Sequence, residues 1–156
     1  MFYSESELNY YNNDGSPFLK IEVSESYSIK FLCAFLKSSF FLWYVKNKFG
    51  DLNIYLPEIF NYINVPSLHN NNVDEKNIIQ KIESNVDDII ELEKAFLKTD
   101  MENIKDVIDY VNQHNEQTKK SFKEIDELIF NLLRISEDDI LIIKENLRAN
   151  NIYIPE

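Results

Sequence analysis

A short helical hairpin near the C-terminus constrains the fold of this chain more than any other stretch. Across residues 122–133, apolar side chains recur three and four positions apart, so they share one face of a helix. Ser136 can cap a second helix, and the three acidic residues after it suit that helix's positive end. Ile140, Ile143 and Leu147 give the second helix an apolar face of its own. The sequence therefore predicts two helices joined by a very short connection.

Length and composition fit one domain with a real hydrophobic core. The chain has 156 residues, of which 44% are hydrophobic and only 2 are glycine, and it contains no glycine-rich phosphate-binding motif. Cys33 is the only cysteine, which excludes an internal disulfide and fits the reducing cytoplasm. No apolar run is long enough to span a bilayer, so we expect a cytoplasmic protein with no membrane partner.

Negative charge is concentrated in the second half of the chain. The net charge is −11; residues 1–72 hold 5 Lys/Arg and 7 Asp/Glu, whereas residues 73–156 hold 11 and 20. Phosphate contacts need cations, so an acidic chain is a poor non-specific ligand of nucleic acid. Any DNA contact is therefore expected in the first half, or it depends on basic surface that another domain supplies.

The first half mixes predicted strands with one helix. Residues 2–27 carry β-formers on both sides of a turn at 12–17, and residues 52–66 suit extended structure. Between them, apolar residues nearly surround a predicted helix at 28–48. The hairpin within 2–27 has two interpretations, a groove-reading element with Asn12 and Asn13 at its tip or an ordinary structural hairpin.

The second half is predicted to be helical. We expect helices at 74–98, 102–113, 118–134 and 137–149. The polar run at 112–115 is either a weak break between two of them or the polar face of one helix. The predicted fold class is therefore α+β and helix-rich, with a small mixed N-terminal region (1–72) followed by a bundle or hairpin of long helices (73–156).

No set of residues predicts catalysis or metal binding. Cys33 suits a small core position, and no nearby histidine supports a reactive thiol. His69 and His114 each stand without a second ligand at metal-binding spacing, so both are expected to be solvated. The same solvated role is expected for the paired carboxylates Asp87-Asp88 and Asp138-Asp139.

The C-terminal hairpin also carries a family resemblance. The segment Glu124–Leu147, EIDELIFNLLRISEDDILIIKENL, resembles the closing segment of adenine-specific DNA methyltransferases and of the type IIG restriction–modification enzymes built on them. Phe31–Val45 is similar to that family's helix with a leucine-asparagine-serine signature, which here reads Leu36-Lys37-Ser38 with lysine in place of asparagine. Two further segments are similar and follow in the family's order: Ile63–Leu68 and Lys81–Phe96.

In the family, this region follows the catalytic domain and recognises the DNA target. The resemblance implies that residues 1–72 are a partial target-recognition domain and residues 73–156 a helical spacer or docking region. Neither a methyl-donor loop nor an N-P-P-Y-type catalytic motif occurs, and no nuclease cluster does, so we expect no catalytic residue, cofactor or metal. The chain looks like the tail of such an enzyme, as a split subunit, a truncated gene product or an excised piece.

The sequence leaves two functions open. The first is a DNA specificity fragment that binds DNA together with a methyltransferase catalytic domain; the second is an acidic helical protein–protein module without DNA binding. In either case the helical half could hold a protein partner or a second copy of the chain. Asn, Lys and Tyr side chains suit base and phosphate contacts, and the candidates for DNA contact are Asn12, Asn13, Lys20, Lys46, Lys48 and Asn53.

Overall fold

Five α-helices make up 89% of the residues that the computed structural model describes, which are 28–50, 72–98 and 104–152. The helices are α1 (Ile29–Lys37), α2 (Ser39–Phe49), α3 (Val73–Lys98), α4 (Ile104–Leu132) and α5 (Glu137–Ala149). The described ranges contain no strand, so the predicted α+β class is wrong and this part of the chain is all-α. The strands predicted within 2–27 and 52–66 lie outside the described residues, and the division at residue 72 stays a prediction.

The predicted helix 28–48 is two helices, because the chain bends at Ser38. Ser38 has extended backbone angles, φ −67° and ψ 151°, and so ends α1 and caps α2. Its hydroxyl donates to the carbonyl oxygen of Phe35 at 2.7 Å and accepts from the amide of Phe41 at 3.2 Å. A serine that bonds to backbone groups in this way competes with the helical hydrogen bonds. The apolar pattern could not show the bend, since both helices are apolar on several faces.

The two longest helices, α3 and α4, pack against each other. The predicted helix 74–98 is confirmed within one residue, whereas the helices predicted at 102–113 and 118–134 are one continuous helix. The polar run at 112–115 lies inside α4, where Asn112, Gln113 and Asn115 are exposed to solvent. Of the two interpretations of this run, the polar face is therefore correct.

The main core lies where α1 and α2 meet the α3–α4 pair. The periodicity of residues 122–133 predicts that Ile125, Ile129 and Leu132 are buried. Ile125 and Ile129 are each 1% exposed in this core, whereas Leu132 is only half-buried at its edge. Aromatic side chains of α1 fill the space between the helices, and Phe31 and Phe35 stack with their ring centroids 6.3 Å apart. The buried residues of this core are Phe31, Ala34, Phe35, Phe41, Val45, Ile82, Val86, Ile89, Ile125 and Ile129.

The connection from α4 to α5 is a Schellman motif. Arg134 takes a left-handed conformation with φ 55°, and its amide donates to the carbonyl of Asn131 at 3.0 Å. The amide of Ile135 reaches back to the carbonyl of Phe130, also at 3.0 Å. The side chains of Ile135 and Phe130 then meet in a second small core. This geometry explains how so short a connection reverses the chain.

The helix α5 begins and ends as its sequence predicts. The Ser136 hydroxyl accepts from the amide of Asp139 at 3.2 Å, so the predicted N-cap is confirmed. At the other end, Asn151 has φ 56° and the amide of Ile152 donates to the carbonyl of Leu147 at 2.9 Å, which closes a second Schellman motif. Ile143 and Leu147 hold α5 in the second core. None of the described helices combines the length and apolar character that crossing a membrane requires.

Candidate functional site

A buried carboxylate joins two distant parts of the chain. Asp126 on α4 is 4% exposed, and its Oδ1 accepts from the backbone amide of Ser39 at 2.8 Å. The Ser39 hydroxyl donates to Oδ2 of the same carboxylate. Ser39 is the first residue of α2, so the carboxylate lies at the positive end of that helix and satisfies one of its free amides. Asp126 therefore acts as an N-cap supplied by another helix.

Burial has the largest influence on the pKa of this carboxyl group. Loss of solvent raises the pKa of Asp126 above its ordinary value, with a smaller contribution in the same direction from Glu127. The two hydrogen bonds from Ser39 and the charge of Lys144 act in the opposite direction, because they stabilise the ionised form. The hydrogen bonds hold both carboxylate oxygens, which fits a structural role better than acid–base catalysis.

The contact between Ser39 and Asp126 also joins two of the segments that carry the family resemblance. Leu36-Lys37-Ser38 ends at the residue immediately before Ser39, and Glu124-Ile125-Asp126 contains the buried carboxylate. Ser38 and Ser39 are both 1% exposed, so the bend and its capping carboxylate are enclosed together. The sequence pattern gave no reason to place the two segments side by side.

Two of the six candidate DNA-contact residues lie in the described part of the chain, both at the end of α2. The Lys48 ammonium lies 2.6 Å from the Tyr44 hydroxyl and 5.4 Å from the centre of the Phe49 ring. Gly50, with φ 81°, ends the helix by donating to the carbonyl of Lys46 at 3.0 Å. Lys46 and Lys48 therefore lie at the negative end of α2, where cations are stabilised by the helix dipole. The other four, Asn12, Asn13, Lys20 and Asn53, lie outside the described residues.

Charge is unevenly divided among the described helices. Residues 28–50, which form α1 and α2, contain four lysines and no Asp or Glu. Residues 73–156, which contain the other three helices, hold 11 Lys/Arg and 20 Asp/Glu. An ion pair joins the two parts: the Lys30 Nζ on α1 lies 2.9 Å from Oδ1 of Asp87 on α3. The α1–α2 pair is thus a basic unit packed on an acidic one.

The expected solvation of His114 is wrong. Its side chain is 11% exposed and its ring lies against Phe96, with 4.6 Å between ring centres. Nε2 lies 3.7 Å from Oε1 of Glu93, which is longer than a hydrogen bond. Within the described ranges, neither this atom nor the Thr118 hydroxyl one turn later has a hydrogen-bond partner. His69 lies outside those ranges.

The remaining candidates for chemistry form no catalytic or metal-binding arrangement among the described residues. Burial raises the pKa of the half-buried Cys33 thiol, and the charge of Lys37 only partly opposes this. A raised pKa lowers the thiolate fraction, so Cys33 is a poor nucleophile. No group of three potential metal ligands occurs in the described ranges. The predicted exposure of the paired carboxylates is confirmed for Asp87-Asp88 and Asp138-Asp139.

An open groove of about 530 Å³ runs between α3 and α4. Its apolar residues are Leu92 and Ala95, while Asp88, Glu91 and Glu124 are acidic. Among the described residues that line the groove, Lys120 is the only basic one, and these residues form no cationic cluster that could hold a phosphate.

Sequence reasoning missed the role of Asp126, although a signal was present. Asp126 lies four residues after Phe122 and three before Ile129, on the apolar side of α4. A carboxylate in an apolar stripe must find hydrogen-bond donors when the stripe is buried. The sequence could not identify the donor, since Ser39 lies on a different helix.

No protein-family model matches this sequence, and neither curated proteins nor solved structures show significant similarity to it.

Proposed function

We propose that this chain is a DNA target-recognition fragment of an adenine-specific DNA methyltransferase or type IIG restriction–modification enzyme, non-catalytic by itself. The observation that carries the proposal is the buried contact between Ser39 and Asp126. It connects two of the four segments that resemble the family, and a shared structural contact is a reason for both segments to occur in one chain. Such an enzyme acts in the cytoplasm, which fits a chain whose single cysteine is unpaired.

The basic α1–α2 unit supports a DNA role for the first half. Lysine can contact phosphate or guanine, and α1 and α2 carry no carboxylate that would oppose a polyanion. Lys48 is exposed and Lys46 is half-buried, and both belong to the last turn of α2. This turn is the best candidate for a phosphate contact in the described chain.

The acidic helices α3 to α5 fit a scaffold that orients the recognition elements. Their excess of carboxylates opposes close approach to DNA, so the isolated chain should bind duplex DNA weakly and with a shallow salt dependence. The methyltransferase catalytic domain would then supply most of the phosphate contacts, while this chain would add base contacts and specificity.

Mixing experiments test the proposal. The chain would be combined with an adenine methyltransferase catalytic domain that lacks its own recognition region, and methylation would be mapped by sequencing a randomised duplex library. We expect sequence-selective methylation only in the mixture. Calorimetry of the chain alone with S-adenosylmethionine should show no heat of binding. Tight, sequence-specific DNA binding by the chain alone at physiological salt would contradict the proposed division of roles.

A matched pair of variants separates phosphate contact from general charge. In the mixture, Lys46→Ala with Lys48→Ala should weaken DNA binding and lower the salt slope by about 1 for each phosphate that the variant no longer neutralises. Lys76→Ala with Lys81→Ala removes the same charge from exposed positions on the acidic α3 and should leave DNA binding nearly unchanged. Equal weakening by both pairs would show that only net charge matters.

The alternative function, an acidic helical protein–protein module, has an observation of its own in its favour. Leu141 and Ile142 are exposed side by side on α5. Two large apolar side chains next to each other on a helix surface are more typical of a protein contact than of a DNA contact. Methylation without sequence selectivity in the mixture would favour this alternative, because a module that does not bind DNA adds no base contacts.

A further inference from the structure

The helix α5 has two apolar faces, and the described residues cover only one of them. Four apolar residues follow one another at 140–143, so together they extend most of the way round the helix. Ile143 is 2% exposed, and with Leu147 it packs into the second core. Leu141 and Ile142 face the other way and are 58% and 57% exposed. A helix that is apolar on both sides is typical of a helix covered on both sides.

The border of this face is mainly acidic, although Lys144 lies three residues after Leu141 and Arg148 three residues after Glu145. Asp138 lies three residues before Leu141 and four before Ile142, so it adjoins both on the helix surface. Glu145 occupies the equivalent place on the next turn, and both carboxylates are exposed. Glu137 adds a third exposed carboxylate at the start of the helix. The α5 face, defined as Asp138, Leu141, Ile142 and Glu145, is thus a small apolar patch between negative charges.

We propose that the α5 face is a docking surface for another protein that presents an apolar surface bordered by lysine or arginine. Charge complementarity identifies this partner, because a cationic border would pair with Asp138 and Glu145 while the apolar surface covers Leu141 and Ile142. A second copy of this chain fits poorly, since a symmetric contact would bring the same carboxylates together. The surface is independent of DNA recognition, so each proposal can fail without the other.

Two synthetic helical peptides test the surface on the full chain. Both have a leucine face; one is otherwise lysine-rich and the other glutamate-rich. We expect the lysine peptide to shift the methyl resonances of Leu141 and Ile142 saturably, and the glutamate peptide to cause no such shift. Equal binding of both peptides, or saturable shifts elsewhere with none at these two residues, would overturn the proposal.

Variants separate the apolar and charged contributions. Leu141→Ser with Ile142→Ser should weaken lysine-peptide binding at least about tenfold, since two side chains leave the contact. Leu97→Ser changes an even more exposed residue at the end of α3 and should have no effect. Asp138→Asn and Glu145→Gln should each weaken binding about two- to fivefold and lessen its salt dependence. An equal effect of Leu97→Ser would show that the peptide binds without regard to the α5 face.

Two measurements on the chain alone exclude the other occupants. Sedimentation should show a monomer; a dimer that Leu141→Ser with Ile142→Ser abolishes would mean that a second copy covers the face. A soluble paramagnetic agent should broaden the Leu141 and Ile142 methyl signals. Signals that stay sharp would mean that the chain covers this face itself, which would overturn the proposal.

Discussion

Asp126 caps the first turn of α2 through Ser39, a residue 87 positions earlier in the chain. The bond from the Ser39 amide to Oδ1 is 2.8 Å long, and both residues are buried. An N-cap normally comes from the residue just before the helix, and Ser38 already fills that position. The second cap ties the bend between α1 and α2 to the centre of α4. The carboxylate therefore helps to hold the basic α1–α2 unit against α4, together with the packing of the main core.

Replacing the Asp126 carboxylate separates its hydrogen bonds from its charge. Asp126→Ala leaves the buried amide and hydroxyl of Ser39 without their acceptor, so we expect a loss of about 1–3 kcal/mol in the free energy of unfolding. Asp126→Asn keeps an oxygen for the amide and removes the buried charge, so it should stay within about 1 kcal/mol of wild type. Urea unfolding measures both. The control is Glu127→Ala, which removes an exposed neighbouring carboxylate and should change the free energy of unfolding little. Equal stability of Asp126→Ala and Asp126→Asn would contradict the role of Asp126 as a cap.

The same carboxyl group should make stability depend on pH. Burial raises the pKa of Asp126 above its ordinary value of 3.8, so the folded state holds this proton more tightly than the unfolded chain. Stability from this group is therefore fully present below that value and is lost as the pH rises through the folded pKa. Asp126→Asn has no such proton, so its stability relative to wild type should rise over this range and then level off. A relative stability that falls with rising pH would show that the hydrogen bonds outweigh burial.

Truncation in the core and on the surface should have very different costs. Ile129 is 1% exposed in the main core, so Ile129→Ala should cost about 2–5 kcal/mol in the free energy of unfolding. Ile142→Ala removes the same atoms from the exposed α5 face and should cost less than about 0.5 kcal/mol beyond its small change in helix propensity. Thermal or urea unfolding compares them. Similar costs would mean that Ile142 is covered in the free protein.

The left-handed residue between α4 and α5 offers a stabilising change. Arg134 adopts φ 55°, a conformation that costs most residues about 1 kcal/mol and glycine almost nothing. Arg134→Gly should therefore raise the free energy of unfolding, although it also removes the weak pair with Glu75 at 3.7 Å. Asn151→Gly is the matched control at φ 56°, and it should gain less because asparagine tolerates this conformation. Calorimetric melting measures the stability of both variants. A larger increase in stability from Asn151→Gly than from Arg134→Gly would contradict this account.

The amino-acid sequence alone determined α3 and α5 closely, although it divided α4 into two helices. The apolar spacing of α3 predicted its bounds within one residue, and Ser136 with the acidic residues after it predicted the start of α5. These signals are local, because a helix face and an N-cap involve residues within a few positions of each other. The burial of Ile125 and Ile129 followed from the same kind of spacing in α4.

The tertiary structure decided the features that depend on residues far apart in the chain. The bend at Ser38 breaks a continuous apolar run, and the second cap that supports it comes from Asp126 on α4. The enclosed position of His114 depends in the same way on Phe96 of the facing helix. A sequence pattern records which face of a helix is apolar, but it does not record which helix covers that face. That choice follows from packing in three dimensions, and it is why α5 could be predicted as a helix while its uncovered face could be found only in the folded chain.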